Sequence, residues 1–272
     1  MDDSTPAASA QAQERARALW STGDYARIAE RLEPVAAELV GALGDIGAAR
    51  LLDVAAGTGN VAVAAAEQGA QVTATDLTPS MVALGSTRTE AARLPVVWQE
   101  ADAADLPFDD AAVDVATSCL GVMFAPEPAA VIAELARVLR PGGLLAVVAW
   151  VPHPTAERLT KAFLRHQPPP PPGAADPRDW GRPEVVEGWL SGAFTDVACA
   201  ERAFSWDFAT PAEATEYFLT ASPWHVASLS ALPPTQQAVV HSETRAAIAE
   251  LATADGRVSM PSPYLLVTAA RR

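Results

Sequence analysis

Short apolar runs alternate with segments of helical periodicity through the middle of the chain. Five runs have the length and composition of strands, at 51–54, 70–75, 96–101, 112–118 and 144–151. Between them lie segments typical of helices, at 61–66, 80–92 and 129–139. Apolar strands that alternate with helices predict a parallel sheet covered by helices on both faces.

The segments outside this core are less regular. Residues 1–12 are expected to be loosely held, and 13–20 predicts a short helix. Residues 25–43 place apolar side chains on one helix face, namely Ile28, Leu32, Val35, Leu39 and Val40. The five prolines at 168–172 favour an extended connector. The pattern therefore predicts N-terminal cap helices (1–46), an α/β core (47–151) and a C-terminal part (152–272) that carries the last strands.

The first strand contains Asp53 and runs into a loop of small residues, Ala55–Asn60. Gly57–Ala62 also fits the dinucleotide pattern G-x-G-x-x-A, in which a helix N-terminus receives a pyrophosphate. At about 4 Å and an effective dielectric constant near 20, a carboxylate repels an anion by roughly 4 kcal/mol. Asp53 therefore favours a ligand with a cationic end and no phosphate, such as S-adenosylmethionine. The alternative is that Asp53 only caps the helix.

Two further carboxylates follow the next two strands. Asp76 ends the second strand, where a carboxylate can accept both hydroxyls of a ribose. Asp102 follows the third strand, where it can accept the exocyclic amine of adenine, while the N–H of Ala103 bonds a ring nitrogen. Carboxylates at three successive strand ends thus match the amine, the ribose and the base of one ligand.

These residues make the chain resemble the class I S-adenosylmethionine-dependent methyltransferases. The resemblance is carried by Asp53–Asn60, Asp76, Asp102–Phe108 and Arg137–Gly143, although the usual first motif has Gly where this chain has Ala55. It implies a doubly wound, mostly parallel sheet of seven strands, with S-adenosylhomocysteine as the product of the cofactor. The further cofactor-binding residues expected are Trp20, Tyr25, Ala55, Gly57, Thr58, Gly59, Asn60, Leu77, Met81, Ala103, Cys119 and Leu120.

Two regions are candidates for enclosing the methyl acceptor. In the family the sixth and seventh strands usually form a hairpin, but here roughly 45 residues separate them, which calls for structure or function of their own. We expect 209–254 to form helices over the acceptor pocket, in the C-terminal part, with the N-terminal helices on the other side. Trp20 and Tyr25 either close over the sulfonium, which aromatic faces attract, or pack in the core.

Methyl transfer needs alignment of donor and acceptor, because the cofactor supplies the chemistry. A hydroxyl acceptor would also gain from a general base. His153, just past the fifth strand, and His225, in the expected cover, are the candidate bases, and either could titrate near neutral pH. Each could equally be a packing or surface histidine.

The composition of the chain limits which classes of molecule can be the methyl acceptor. The net charge of −14 argues against nucleic acid and against anionic membrane surfaces. Two isolated cysteines give no metal pattern, and no leader or membrane-spanning run is visible, so a cytoplasmic monomer or homodimer is expected. The sequence predicts transfer to an oxygen or nitrogen of a small, partly apolar molecule, such as a bacterial secondary metabolite. The alternatives are carbon methylation of a quinone-like ring, a non-methylating cyclase on the same scaffold, and an NAD-dependent oxidoreductase.

Overall fold

Seven strands form one sheet. The computed structural model describes residues 6–166 and 174–272. The strands of this sheet are β1 (Arg50–Val54), β2 (Gln71–Asp76), β3 (Val96–Glu100), β4 (Val113–Cys119), β5 (Leu139–Trp150), β6 (Phe194–Arg202) and β9 (Tyr264–Arg271). Their order across the sheet is β3-β2-β1-β4-β5-β9-β6. β1 to β5 pair in parallel, and β9 runs antiparallel to both β5 and β6. The predicted doubly wound, mostly parallel sheet of seven strands is confirmed.

Helices connect and flank these strands within the described residues. They are α1 (Pro6–Trp20), α2 (Tyr25–Ala42), α3 (Asn60–Glu67), α4 (Pro79–Ala91), α5 (Pro128–Val138), α6 (Pro154–Leu164), α7 (Pro183–Leu190), α8 (Pro211–Ala221), α9 (Pro223–Ser230) and α10 (Pro234–Ala249). Eight of them have proline at the first helical turn or first position, where a missing N–H costs no hydrogen bond. None of the helices in the described ranges is long and apolar enough to cross a bilayer.

The centre of the sheet is buried because its strands are apolar throughout. Leu52, Ala74, Ala116 and Ala146 lie on four neighbouring strands and are completely inaccessible to solvent. Strands that are covered on both faces have continuous apolar sequences, whereas strands with one exposed face alternate apolar and polar residues. This burial holds the carboxyl ends of β1, β2 and β4 side by side, which is where the functional residues lie.

The N-terminal helix begins earlier in the chain than the sequence predicts. α1 begins at Pro6, so the prediction that residues up to 12 are loosely held is wrong for 6–12. Arg17 explains part of this order: its Nε donates to the Leu77 carbonyl at 3.1 Å and its guanidinium pairs with Glu100 at 3.0 Å. The proline run at 168–172 lies outside the described residues.

The long segment between β6 and β9 is helical, as the sequence predicts. α8, α9 and α10 fill it, and a separate two-stranded antiparallel sheet of β7 (Ser205–Phe208) and β8 (Val258–Pro261) brackets them. The loop between α1 and α2 joins this segment: Asp24 N–H donates to the Ala221 carbonyl at 3.0 Å, and Thr22 Oγ1 donates to the Pro223 carbonyl at 2.9 Å. These hydrogen bonds join the insertion to the N-terminal helices.

Candidate functional site

A cavity of about 290 Å³ lies at the carboxyl edge of the sheet. Its walls come from the segments that follow β1, β2, β3 and β4, and α1 supplies a further wall. Open α/β sheets bind ligands at this edge, next to the point where the strand order reverses. Here the strand order reverses between β1 and β4, so the cavity lies where open α/β sheets bind their ligands.

Ten of the fifteen residues expected to bind the cofactor line this cavity: Trp20, Tyr25, Ala55, Gly57, Asp76, Leu77, Met81, Asp102, Ala103 and Leu120. Four others line a smaller neighbouring cavity of about 20 Å³, namely Asp53, Thr58, Asn60 and Cys119. Tyr25 and Leu120 line both cavities. Gly59 is on neither lining.

Asp76 is fixed by the backbone around it. Its Oδ2 accepts the Gly57 N–H at 2.9 Å and its Oδ1 accepts the Thr78 N–H at 2.9 Å. Burial nevertheless raises the pKa of this carboxyl above its usual range. Each carboxylate oxygen can accept a second hydrogen bond, so Asp76 can bind two hydroxyls while it holds the loop in place.

Asp102 has two partners of its own. Oδ1 accepts the Ala104 N–H at 2.9 Å, and Oδ2 accepts Gln13 Nε2 at 2.6 Å. Sequence reasoning missed Gln13 because it lies far from every motif. The sequence feature that could have identified Gln13 is the spacing of Ala12, Ala16 and Trp20, which are four residues apart and place one face of the helix on the cavity.

Asp53 lines the small cavity and not the large one. It is completely buried, and its Oδ1 accepts the Thr117 hydroxyl at 3.0 Å. Oδ2 accepts no hydrogen bond from the described residues and lies beside the small cavity. Burial raises the pKa of this carboxyl to about 7, although the Thr117 bond favours the ionised form. An orphaned carboxylate oxygen of this kind needs a donor or a cation.

The two glycines of the loop allow aromatic rings to pack closely against its backbone. Gly57 has φ +57°, and a Cβ there would lie 2.9 Å from the Tyr25 ring. Gly59 has φ +86°, and a Cβ there would lie 2.8 Å from the Trp98 ring. Gly59 is therefore a turn and packing residue that precedes α3.

The side chain of Asn60 bonds to two other elements of the fold. Its Nδ2 donates to the Ala29 carbonyl at 2.7 Å, and its Oδ1 accepts the Arg88 guanidinium at 2.6 Å. Arg88 also donates to the Thr58 carbonyl and pairs with Glu33 at 2.7 Å. The Asn60 amide thus ties the loop to α2 and α4, and this use of both of its polar ends explains why it is absent from the large cavity.

Two non-glycine residues at neighbouring strand ends have left-handed backbone conformations. Ala55 follows β1 with φ +53°, and Leu120 follows β4 with φ +60°. Gly121 approaches them so closely that a Cβ there would lie 2.6 Å from the Ala55 Cβ. Strained backbone of this kind persists where the surrounding structure enforces it, typically at ligand sites.

Aromatic side chains form one side of the cavity. Trp20 packs against Phe124 and Tyr25 with ring centroids 5.0 and 5.9 Å apart. All three residues line the cavity, and Phe124 is 39 % exposed. Trp20 and Tyr25 are half-buried, so they contact each other and present ring surface to the cavity as well.

Neither candidate base lines the large cavity. His153 accepts the Thr155 N–H on Nδ1 at 3.3 Å, at the start of α6. His225, on α9, lies 2.7 Å from the Ser222 hydroxyl through Nδ1 and packs against Phe218. Burial lowers the pKa of His225 to about 4, so the expectation of titration near neutral pH is wrong for this residue.

The charges of the large cavity have one sign. Among the described residues, every charged side chain on its lining is a carboxylate: Asp76, Asp102, Asp105 and Glu127. A pyrophosphate would be repelled here, whereas a sulfonium and an ammonium group would be attracted. The described residues also contain no cluster of three or more possible metal ligands. The residues present therefore fit S-adenosylmethionine and do not fit NAD.

Comparisons with known sequences agree with this geometry. Residues 52–147 match the family model described as "Methyltransferase domain". An uncharacterized protein of Mycobacterium tuberculosis is 36% identical over 272 residues, covering 94% of each chain. Demethylmenaquinone methyltransferase of Thermus thermophilus is 41% identical over 107 residues, covering 39% of this chain and 49% of that one.

Solved structures share the fold. A methyltransferase described as putative from Bacillus halodurans superposes with a TM-score of 0.57 at 21% identity, covering 86% of this chain and 97% of that one. Phosphoethanolamine N-methyltransferase 2 of Haemonchus contortus, in complex with S-adenosylhomocysteine, gives 0.56 at 18% identity, covering 87% and 52%. The [4+2]-cyclase SpnF gives 0.53 at 23% identity, covering 91% and 83%. With the carboxylate-lined cavity and the matching domain, these findings make the chain a member of the class I S-adenosylmethionine-dependent methyltransferase family, with S-adenosylmethionine as its cofactor.

Proposed function

We propose that this protein transfers a methyl group from S-adenosylmethionine to an oxygen or nitrogen of a small, partly apolar molecule, such as a bacterial secondary metabolite. The observation that carries the proposal is the cavity itself, which combines carboxylates at the strand ends with an aromatic wall. The carboxylates suit the cationic donor, and Trp20, Tyr25 and Phe124 suit an apolar acceptor.

Each carboxylate has an assigned partner in this proposal. Asp76 binds the ribose hydroxyls, Asp102 binds the adenine amine, and Ala103 N–H binds a ring nitrogen. Asp53 receives the ammonium group of the cofactor, because its Oδ2 is buried without a protein donor among the described residues. The small cavity beside Asp53 shares Tyr25 and Leu120 with the large cavity. The amino-acid end of S-adenosylmethionine can therefore reach from the large cavity into the small one after a small movement of these two side chains.

The cofactor, when bound, supplies an electrophilic methyl group that leaves its sulfonium by in-line displacement. The chain contributes alignment, with donor and acceptor held against the aromatic wall, and exclusion of water by α1. In a hydroxyl acceptor a base must take the proton. His225 is neutral at physiological pH because its pKa lies near 4, but so low a pKa makes its imidazole a weak proton acceptor, and His225 does not line the cavity.

The test uses S-adenosylmethionine carrying a 13C-labelled methyl group, purified protein and small apolar phenols and amines as acceptors. The product mass shows whether a methyl group is gained, and the 13C chemical shift shows whether it is bonded to oxygen, nitrogen or carbon. An O- or N-methyl product supports the proposal, and a C-methyl product overturns it. Turnover by His225→Asn and His153→Asn, with the exposed His241→Asn as control, shows whether either histidine is the base.

A cyclase is the second candidate, and one observation favours it. The fold neighbour SpnF is a [4+2]-cyclase by its description, so this scaffold supports chemistry without methyl transfer. A cyclase would convert a substrate to a product of equal mass and leave S-adenosylmethionine unconsumed. The same mass measurement separates this function from the proposed one.

A further inference from the structure

The N-terminal helix supplies the cavity with one polar side chain that no motif contains. Gln13 lines the cavity on the same helix face as Ala12, Ala16 and Trp20. Its Nε2 donates to Asp102 Oδ2 at 2.6 Å, although 89 positions separate the two residues in sequence. Gln13 is thus held against the carboxylate that we assign to adenine.

Asp102 determines how the Gln13 amide is oriented. An ionised carboxylate only accepts hydrogen bonds, so Gln13 must present its nitrogen to Asp102 and not its carbonyl oxygen. The Ala104 N–H, 2.9 Å from Oδ1, restrains the other side of the carboxylate. The carbonyl oxygen Oε1 is then the acceptor that Gln13 can offer to a ligand.

The exocyclic amine of adenine has two N–H donors that match these acceptors. A carboxylate oxygen can accept two hydrogen bonds, so Asp102 Oδ2 can accept one amine hydrogen while it holds Gln13. We propose that Gln13 and Asp102 recognise the exocyclic amine of adenine together, Asp102 through Oδ2 and Gln13 through Oε1. This inference rests on the assignment of Asp102 to adenine proposed above.

The attachment of α1 does not depend on Gln13 alone. Arg17, one helical turn later, donates to the Leu77 carbonyl at 3.1 Å and pairs with Glu100 at 3.0 Å. Loss of the Gln13 side chain therefore leaves α1 fastened to the ends of β2 and β3. This separates a change in recognition from detachment of the helix.

The experiment compares S-adenosylhomocysteine with S-inosylhomocysteine, in which a carbonyl oxygen replaces the exocyclic amine. Calorimetry with the full chain gives the affinity ratio of the two ligands. We expect Gln13→Ala to lower the preference for S-adenosylhomocysteine about five- to tenfold, which corresponds to one hydrogen bond. Gln11→Ala is the matched control, because Gln11 is exposed on the same helix and alanine favours helix at both positions.

The possible results separate the role of Gln13 from the assignment of Asp102 to adenine. If Gln13→Ala weakens both ligands equally, Gln13 only docks the helix and the inference is overturned. Asp102→Asn tests the underlying assignment: an unchanged ratio in that variant means that Asp102 does not bind the amine. If Asp102→Asn abolishes the preference while Gln13→Ala leaves it intact, the adenine assignment stands and the role of Gln13 alone is rejected.

Discussion

At the scale of single residues, burial determines what the acidic side chains can do. Asp53 and Asp76 are both buried, and burial raises the pKa of each carboxyl. Asp76 is held by two backbone N–H donors, whereas Asp53 has one oxygen without a protein partner among the described residues. The same substitution therefore calls for a different measurement at each residue.

Asp53→Asn should change how stability depends on pH. The pKa of Asp53 is raised from 3.8 to about 7, so the folded state retains a proton that the unfolded state releases. This contribution to the free energy of unfolding is complete below about pH 4 and is lost as pH rises to about 7. The full shift corresponds to about 4 kcal/mol as an upper value. We expect the Tm of Asp53→Asn, relative to wild type, to rise between pH 5 and pH 8.

The exposed Asp109 provides the control for this measurement. Asp109→Asn should keep a constant difference in Tm from wild type across the same pH range. The electrostatic interpretation of Asp53 fails if its variant also runs parallel to wild type.

Asp76→Asn should weaken cofactor binding. An amide can accept only one of the two N–H groups that Asp76 binds. The charged hydrogen bonds to ribose that we propose for Asp76 would be lost as well. We expect S-adenosylhomocysteine to bind about 10- to 150-fold more weakly, a loss of about 1.5–3 kcal/mol. Asp105→Asn, at an exposed position on the same cavity, should change the affinity by less than about threefold. Equal calorimetric affinities for wild type and Asp76→Asn would remove Asp76 from the ribose site.

At the scale of elements, the site depends on the contact between α2 and the loop after β1. Tyr25, the first residue of α2, packs on Gly57, and the Asn60 side chain donates to a carbonyl of α2. The loop after β1 is therefore held by the N-terminal helices as well as by the sheet.

Gly57→Ala should show energetic coupling to Tyr25. The added Cβ would lie 2.9 Å from the Tyr25 ring, and the φ of +57° adds backbone strain of about 1–2 kcal/mol. We expect the loss in free energy of unfolding to be about 1 kcal/mol smaller in a Tyr25→Ala background, because only the steric part is relieved. Urea denaturation of the four proteins measures the coupling.

Gly41, in α2, is the matched glycine for this cycle. No heavy atom lies within 4 Å of a Cβ added there, so Gly41→Ala should be neutral or stabilising in both backgrounds. Strict additivity of Gly57→Ala and Tyr25→Ala would mean that the ring moves aside without cost.

At the scale of the whole molecule, the cavity lies between the carboxyl edge of the sheet and the N-terminal helices, and no residue of 209–254 is on its lining, contrary to the expected helical cover. α1 supplies one wall, and the loop between α1 and α2 bonds to the loop between α8 and α9. The insertion therefore contacts the N-terminal helices without supplying a wall of the cavity.

Cofactor binding should slow amide hydrogen exchange in α1. Gln13 and Trp20 line the cavity, so a bound adenosine adds contacts that oppose opening of this helix. α10, which has no residue on the cavity lining, serves as the internal control and should exchange at the same rate. Mass spectrometry with and without S-adenosylhomocysteine makes the comparison. An unchanged rate in α1 would show that the helix is not part of the bound site.

The sequence by itself determined the parallel core and most of the large cavity. Apolar strands that each end in a loop or a carboxylate have one stable arrangement, in which their carboxyl ends meet at one edge of a sheet. This is why Asp76 and Asp102 could be placed from local patterns, whereas Leu77 and Met81 were expected from the family resemblance.

Only the tertiary structure decided which polar groups face that edge and which are used elsewhere. Asp53 is turned to Thr117 and a small cavity, Asn60 is bonded to α2 and α4, and Gln13 is brought to Asp102 from the start of the chain. These contacts join residues that are distant in sequence, and hydrogen bonds between such residues leave no periodic pattern. A motif shows that a carboxylate is present, but packing decides what it binds.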